Sequence, residues 1–163
     1  MLTILTGAIG SGKTTRLRTL YAAMPPGTAE GFASERVFEE GRLRGYDLVR
    51  LSNGERRTLC VDLAVAQDPP RPVLVRRRFA FDPEAFRFGE RIVADALADP
   101  KVRCILLDEV GPLELEGRGF AVLYRRTLAE SRHHGKDVVA CVRAGILEDV
   151  QRAFPYAGPV RLG

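Results

Sequence analysis

The chain has 163 residues, of which 45% are hydrophobic; a chain of this size can bury one sizeable core, so we expect one domain over 1–163. Its 28% of charged residues, 16 glycines and 10 prolines exclude a disordered or collagen-like chain. The net charge of +4 only weakly suggests a polyanionic partner such as nucleic acid, since the basic residues are spread along the sequence.

The cysteines and the N-terminus predict a reduced, cytoplasmic protein. Cys60, Cys104 and Cys141 are odd in number and lack a short pair spacing, and two of them sit in apolar runs typical of buried strands. The N-terminus lacks a basic segment, and no apolar run approaches the roughly eighteen residues of a membrane-spanning helix. We therefore expect free cysteines in the core, a cytoplasmic location and no membrane contact.

The first half of the chain predicts a strand, a helix and an antiparallel hairpin. A β-prone run precedes a glycine-rich segment, and the helical spacing that follows is ended by Pro25 and Pro26. The Asn53-Gly54 pair between two apolar runs is a hairpin turn signal. The predicted elements are, in order, a strand at 2–6, a helix at 13–24, a short strand at 27–33, and hairpin strands at 46–51 and 58–63.

The second half of the chain alternates strands and helices. Three prolines predict a loop at 67–72, and Asp82 followed by Pro83 is a favourable helix start. The remaining predicted elements are a strand at 73–81, a helix from Asp82 and Pro83 through 98, a strand at 102–107, a helix at 120–132, a strand at 138–142 and a helix at 146–154. This alternation implies right-handed crossovers. The predicted fold class is α/β, a three-layer αβα arrangement with a largely parallel sheet and a β-hairpin insertion.

Residues 7–14 match the phosphate-binding pattern G-x-x-x-x-G-K-[ST] between a predicted strand and a predicted helix. Glycines let the chain curl around an anion with its N–H groups pointing inward, and the helix N-terminus adds favourable dipole charge. Lys13 is expected to reach the β- and γ-phosphates, Thr14 to ligate Mg²⁺ and Thr15 to contact the α-phosphate. The predicted nucleotide-binding residues here are Gly7, Ala8, Ile9, Gly10, Ser11, Gly12, Lys13, Thr14 and Thr15.

A second motif ends the predicted apolar strand at 102–107 with two carboxylates, Asp108 and Glu109. This is the arrangement of a Walker B motif, at the strand edge where α/β sheets hold their ligands. Asp108 is expected to hold Mg²⁺ and Glu109 to polarise the attacking water. Gly111 and Pro112 form a turn directly afterwards, and Gly111 is included among the predicted nucleotide-binding residues. Without the phosphate-binding loop, two charged residues leaving a strand would be the simpler interpretation.

Several further charged residues have two possible roles. Glu114 would either orient water or a loop near the site, or be a solvated loop glutamate. Any of four arginines could supply positive charge to the transition state, although surface ion pairing is the default for each; they are Arg42, Arg44, Arg118 and Arg143, with Arg143 slightly preferred.

Two clusters of basic residues are predicted to have structural rather than catalytic or metal-binding roles. His133 and His134 precede Gly135 at a predicted helix end, which favours a C-terminal cap region over metal ligands. The arginines at 76–78 fall within a predicted strand, so their side chains would alternate between its faces, with a contact to an anionic partner as the alternative.

The chain resembles the small nucleoside-triphosphatases first known from thermophiles. The resemblance rests on residues 5–15, on Gly31-Phe32 followed by 41–47, and on 108–115, which is similar to the family pattern D-E-[IV]-G-x-[ML]-E-L. In the middle segment, Arg36 and Phe38 stand where the family commonly has a glutamate and an arginine. The resemblance implies a P-loop fold and slow, Mg²⁺-dependent hydrolysis of several nucleoside triphosphates, ATP and GTP among them, to diphosphates.

Two other functions use the same motifs. A P-loop kinase for a small molecule or nucleotide would need an acceptor pocket and an arginine-bearing lid, for which 31–63 and the loop around Arg118 are the candidates. A nucleotide-gated binding module would instead order its loops around the γ-phosphate and act on a protein or nucleic acid partner. Fold alone does not separate these functions.

Overall fold

A computed structural model describes residues 1–66 and 74–163. The strands are β1 (Leu2–Gly7), β2 (Ala29–Glu39), β3 (Arg42–Arg50), β4 (Arg56–Asp62), β5 (Leu74–Arg76), β6 (Phe79–Phe81), β7 (Cys104–Val110), β8 (Asp137–Arg143) and β9 (Val160–Leu162). The helices are α1 (Lys13–Ala23), α2 (Pro83–Ala98), α3 (Pro112–Leu115), α4 (Ala121–His133) and α5 (Leu147–Ala153), with a 3₁₀ turn at Ala144–Ile146.

The strands form one sheet in the order β5-β6-β4-β3-β2-β7-β8-β1-β9. From β2 to β9 all neighbours are parallel, and we call these five strands the parallel half. From β2 outward through β3, β4, β6 and β5 all neighbours are antiparallel, and we call these four strands the antiparallel half. The α/β fold is therefore confirmed, and the predicted hairpin is the β3–β4 pair within the antiparallel half.

Helices cover both faces of the sheet. Leu17 of α1 packs against one face, which includes Leu5, Leu106 and Cys141. Helices α2, α4 and α5 pack on the other face, around Ile105 and Val138 among others. Because side chains alternate along a strand, successive residues of β1 and β7 enter the two cores in turn. The three αβα layers follow directly from this alternation.

Local signals explain where several elements begin and end. The Asp82 carboxylate accepts the Glu84 N–H at 2.9 Å and caps α2, and Pro83 occupies its first turn. His133 ends α4 and His134 stands at its C-cap, as predicted. All three cysteines are buried as free thiols, also as predicted. Burial raises the pKa of Cys60 to about 12, which keeps that thiol protonated.

The predicted strand at 73–81 is wrong in its described part. β5 and β6 are two short strands joined by a turn, in which Arg77 has a positive φ of 53°. The side chains of 76–78 therefore do not alternate along one strand. The sequence also missed α3, β9 and the continuation of β2 from 33 to Glu39, which pairs with β3 in a further hairpin.

Residues 67–73 lie outside the described residues, and the predicted loop at 67–72 falls there. In the rest of the chain, none of the helices combines the length and the apolar character needed to cross a bilayer.

Candidate nucleotide-binding and catalytic site

The glycine-rich segment forms the loop between β1 and α1, as the motif predicts. Gly10 and Gly12 have φ values of 77° and 85°, in the left-handed region that suits glycine. Gly12 stands at the N-cap of α1, so the free N–H groups of the first helical turn face the loop. This combination of curled backbone and helix N-terminus favours bound anions.

The Lys13 ammonium folds back over the loop. Its Nζ donates to the Gly7 carbonyl oxygen at 3.0 Å and to the Ala8 carbonyl oxygen at 2.7 Å. These contacts hold the positive charge at the centre of the loop, where it adds to the field of the helix N-terminus. A phosphate entering the loop would meet Lys13 without a large change of side-chain conformation.

Asp108 connects the loop to the acidic motif. Its side chain is buried, and Oδ2 accepts the Thr14 hydroxyl at 2.7 Å and the Ser34 N–H at 3.0 Å. Its other oxygen, Oδ1, accepts the Glu109 N–H at 3.0 Å. The two residues predicted to bind metal therefore lie in direct contact although they are 94 positions apart in the chain.

Ser34 belongs to this site and was missed in the sequence. It follows residue 33, where the predicted strand ended, whereas β2 continues and carries it alongside Asp108. Its hydroxyl is buried and has no hydrogen-bond partner among the described residues. A buried hydroxyl without a partner is costly, which indicates that it faces a ligand or water. No spacing rule relates Ser34 to either motif, so only the strand pairing could reveal it.

The donor set around Asp108 suits Mg²⁺. The Thr14 hydroxyl, the Asp108 carboxylate and the unpartnered Ser34 hydroxyl supply hard oxygen atoms at the edge of the phosphate loop. Groups of three or more acidic, histidine or cysteine side chains that could hold a metal are absent from the described part of the chain. Mg²⁺ commonly takes one or two protein oxygens and completes its shell with substrate phosphates and water, which this arrangement allows.

Glu109 projects into the same pocket from a strained backbone. Its φ of 66° is unusual for a residue with a side chain. The carboxylate is partly exposed and Oε2 lies 3.7 Å from Nη2 of Arg143. Burial and the adjacent Asp108 carboxylate raise the pKa of Glu109, against the lowering effect of Arg143 and Lys13. A carboxylate whose pKa is raised in this way suits a general base.

The phosphate pocket holds about 440 Å³. Its walls include the predicted residues Ile9, Gly10, Gly12, Lys13, Thr14, Thr15, Asp108, Glu109 and Arg143, together with Ser34 and Arg36. Of the four candidate arginines, only Arg143 is part of this described lining. Arg44 and Arg118 instead lie near acids of their own segments, at 3.4 Å from Glu39 and 3.9 Å from Glu116, and Arg42 begins β3 as an exposed residue.

Glu114 is buried, so its interpretation as a solvated glutamate is wrong. One carboxylate oxygen accepts the Gly111 N–H at 2.7 Å and the other accepts the Phe120 N–H at 3.0 Å. Burial raises its pKa to about 7. Glu114 thus holds the turn after β7 against the start of α4. Gly111 lies behind this turn with its N–H already used, and it does not contribute to the described lining of the phosphate pocket.

The family of the chain follows from a comparison with known proteins. A family model described as NTPase matches residues 3–153, which include the phosphate loop, the acidic pair and Arg143. The chain belongs to the NTPase family.

Two relatives align with most of this NTPase-family chain. Nucleoside-triphosphatase THEP1 of Methanothermobacter thermautotrophicus is 29% identical over 163 aligned residues, covering 93% of this chain and 82% of the relative. The human cancer-related nucleoside-triphosphatase is 30% identical over 132 residues, covering 77% of this chain and 67% of the human protein.

Two solved structures share the fold. The crystal structure of THEP1 from the hyperthermophile Aquifex aeolicus has a TM-score of 0.72 at 21% identity and covers 99% of this chain and 88% of its own. The solution structure of the human cancer-related nucleoside triphosphatase has a TM-score of 0.66 at 23% identity. The match covers 98% of this chain and 86% of the human chain. These likenesses establish the architecture of the NTPase family for this chain.

Proposed function

We propose that this protein hydrolyses nucleoside 5′-triphosphates to diphosphates and phosphate with Mg²⁺ as cofactor, slowly and with broad base specificity. The observation that carries the proposal is the contact between the Thr14 hydroxyl and Asp108, which sets the acidic pair directly against the phosphate loop. The names of the two relatives, both nucleoside-triphosphatases, support the same reaction.

Substrate binding depends on the loop and on Lys13. The N–H groups of the loop and the first turn of α1 bind phosphate oxygens, and the Lys13 ammonium exchanges carbonyl oxygens for the β- and γ-phosphates. Positive charge fixed in advance stabilises the charge that develops on the transferring phosphoryl group.

The cofactor site lies between the loop and β7. Thr14 and Asp108 would hold Mg²⁺, with the Ser34 hydroxyl facing its water shell. When bound, Mg²⁺ neutralises phosphate charge and orients the β- and γ-phosphates. Asp108 also accepts a hydrogen bond from the Glu109 N–H, so it helps to position Glu109, the general base.

Glu109 accepts the proton of the attacking water. Its partly exposed carboxylate faces the pocket from the residue next to Asp108. Burial and the Asp108 charge raise its pKa, which makes the ionised carboxylate a stronger proton acceptor. Arg143 lies 3.7 Å from Glu109 and favours its ionised form, so it supports Glu109 as the base.

Broad base specificity is supported by the chemistry of the pocket. The loop amides and Lys13 contact the phosphates, Thr14 and Asp108 would act through Mg²⁺, and Glu109 acts on water; all of these serve the part that nucleoside triphosphates share. Discrimination between bases would need donors and acceptors aimed at base edges.

The test is phosphate release from ATP, GTP, CTP and UTP with Mg²⁺. Glu109→Gln should lower release at least 100-fold while nucleotide binding persists, and Lys13→Ala should lower both release and binding. Glu130→Gln, an exposed glutamate on α4 that pairs with Arg126, is the matched control. Release that survives Glu109→Gln, or tight nucleotide binding without any release by the unchanged protein, would exclude this mechanism.

A further inference from the structure

A second cavity of about 500 Å³ adjoins the phosphate pocket on the side of the antiparallel half. Strands β3, β4 and β6, the turn between β5 and β6, and α3 enclose it. It shares five residues with the phosphate pocket, namely Ile9, Arg36, Tyr46, Glu109 and Arg143. The two cavities therefore meet at Glu109, and we call the second one the adjoining pocket.

Aromatic side chains form much of the wall of the adjoining pocket. Tyr46 and Phe79 meet edge to face with ring centroids 5.9 Å apart, and Phe81 stacks on Phe86 at 6.1 Å. Phe38 stands at the pocket with 59% of its surface exposed. Large exposed aromatic surface facing a cavity favours a planar partner, because stacking removes that surface from water.

Arginines surround these rings. Arg76 pairs with Glu116 at 2.9 Å, Arg78 with Asp62 at 3.0 Å, and Arg143 lies 3.7 Å from Glu109. Arg36 and Arg77 also line the pocket and have no ion pair with any acid in the described ranges.

The charges of the adjoining pocket do not cancel. Its described lining contains five arginines and two carboxylates, and Glu114 already accepts two backbone N–H groups. Arg76 and Arg78 are paired with acids outside the lining, so Arg36 and Arg77 supply the excess positive charge. Arg77 lies in the turn between β5 and β6 at a positive φ, so its side chain does not follow the alternation of a regular strand. Guanidinium groups in excess over acids favour phosphate, which they bind through paired N–H donors.

We propose that the adjoining pocket binds a second ligand that combines a planar aromatic ring with a phosphate, of the nucleoside monophosphate class. The aromatic wall stacks on the base, and Arg77 and Arg36 bind the phosphate. The proposal concerns binding alone: the described lining of this pocket lacks Lys13, Thr14 and Asp108, and it shares only Ile9 of the phosphate loop with the phosphate pocket.

The experiment measures binding of AMP by calorimetry to protein saturated with Mg²⁺ and ADP, so that the phosphate loop is occupied. One further AMP per chain is expected. Phe38→Ala and Arg77→Glu should each weaken this binding tenfold or more while ADP affinity stays the same. Arg126→Glu applies the same charge change to an exposed arginine of α4 outside both pockets and should leave AMP binding unchanged.

Ligand fragments test the two halves of the recognition. Ribose 5-phosphate, which lacks the base, and adenosine, which lacks the phosphate, should each bind at least tenfold more weakly than AMP. The absence of a second site, or a second site insensitive to Phe38→Ala and Arg77→Glu, would overturn the proposal. If ADP binds and no phosphate is released from ATP, hydrolysis fails but this binding result still stands.

Discussion

The parallel and antiparallel halves of the sheet differ in what they bring to the site. The parallel half ends β1, β7 and β8 at one edge, where the phosphate loop, the acidic pair and Arg143 meet. The antiparallel half contributes aromatic rings and arginines to the adjoining pocket. The comparison teaches that the groups of the reaction come from the aligned carboxyl ends of parallel strands, whereas the surface around the substrate comes from the added hairpins.

Strand β2 joins the two halves, and Gly31 is its most constrained position. A Cβ at Gly31 would lie 1.9 Å from the Leu106 carbonyl oxygen, and its φ is 155°. Gly31→Ala is therefore expected to destabilise the protein by about 4 kcal/mol or more, because backbone would have to move at the seam. Chemical denaturation measures this effect. Gly54→Ala, at a turn with open space around it, should lower the free energy of unfolding by only about 1–2 kcal/mol. If both variants lost the same free energy of unfolding, the close contact between β2 and β7 at Gly31 would not be a constraint on stability.

Two buried aspartates, one in each half of the sheet, test whether only the parallel half takes part in the reaction. Asp108 in the parallel half contacts Thr14, and Asp62 in the antiparallel half accepts the Ala64 N–H at 3.0 Å and pairs with Arg78. Asp108→Asn should lower phosphate release at least 100-fold, about 2.7 kcal/mol in barrier height. Asp62→Asn should cost about 1–3 kcal/mol of stability with little change in rate below the melting temperature.

Rates and unfolding curves of both variants are measured together. A large loss of rate in Asp62→Asn at a temperature where the variant is folded would show that the antiparallel half takes part in the reaction. Unchanged release in Asp108→Asn would remove the basis for the proposed cofactor site.

The elements that could be predicted are those in which chemistry or periodicity acts over neighbouring residues. The loop at 7–14 and the pair Asp108 and Glu109 are each contiguous in sequence, and the apolar run before the pair indicates its strand. Ser34 and Arg36 could not be predicted as site residues, because they reach the pocket only through the pairing of β2 with β7.

Other features were hidden by opposing local signals. The apolar residues on both sides of Arg77 favour one strand, and arginine gives no signal for a turn at positive φ. Glu114 in a loop suggests exposure, since glutamate is rarely buried. Its burial depends on two N–H donors, from Gly111 and Phe120, that only the folded turn brings together.

Glu114 lines the adjoining pocket from the turn after β7, and its titration should appear in the free energy of unfolding. Burial raises its pKa to about 7 from the ordinary 4.5, so unfolding releases a proton between these values. Its contribution is fully present below pH 4.5 and is lost as pH rises through 7, by at most about 3 kcal/mol at 1.36 kcal/mol per pH unit. Glu114→Gln removes this titration.

The measurement is the free energy of unfolding from pH 5 to pH 8 for both proteins. The difference between the unchanged protein and Glu114→Gln should shift steadily in favour of the variant as pH rises, even if the amide lowers stability at every pH by losing one acceptor. Parallel curves would mean that Glu114 titrates near its ordinary value and that its two N–H contacts fully offset burial.

The smallest expected effect separates two arginines of the phosphate pocket, Arg143 on β8 and Arg36 on the part of β2 that pairs with the antiparallel half. Arg143 at the end of β8 lies 3.7 Å from Glu109 and lowers its pKa, whereas Arg36 lines the same pocket from the extended part of β2. Arg143→Gln should slow phosphate release about tenfold. It should also move the acid limb of the rate profile to higher pH, because Glu109 must be ionised to act and loses a stabilising cation. Arg36→Gln is expected to leave the acid limb in place. An equal displacement by both variants would mean that Glu109 responds to the summed charge of the pocket and that Arg143 is not a specific assisting cation.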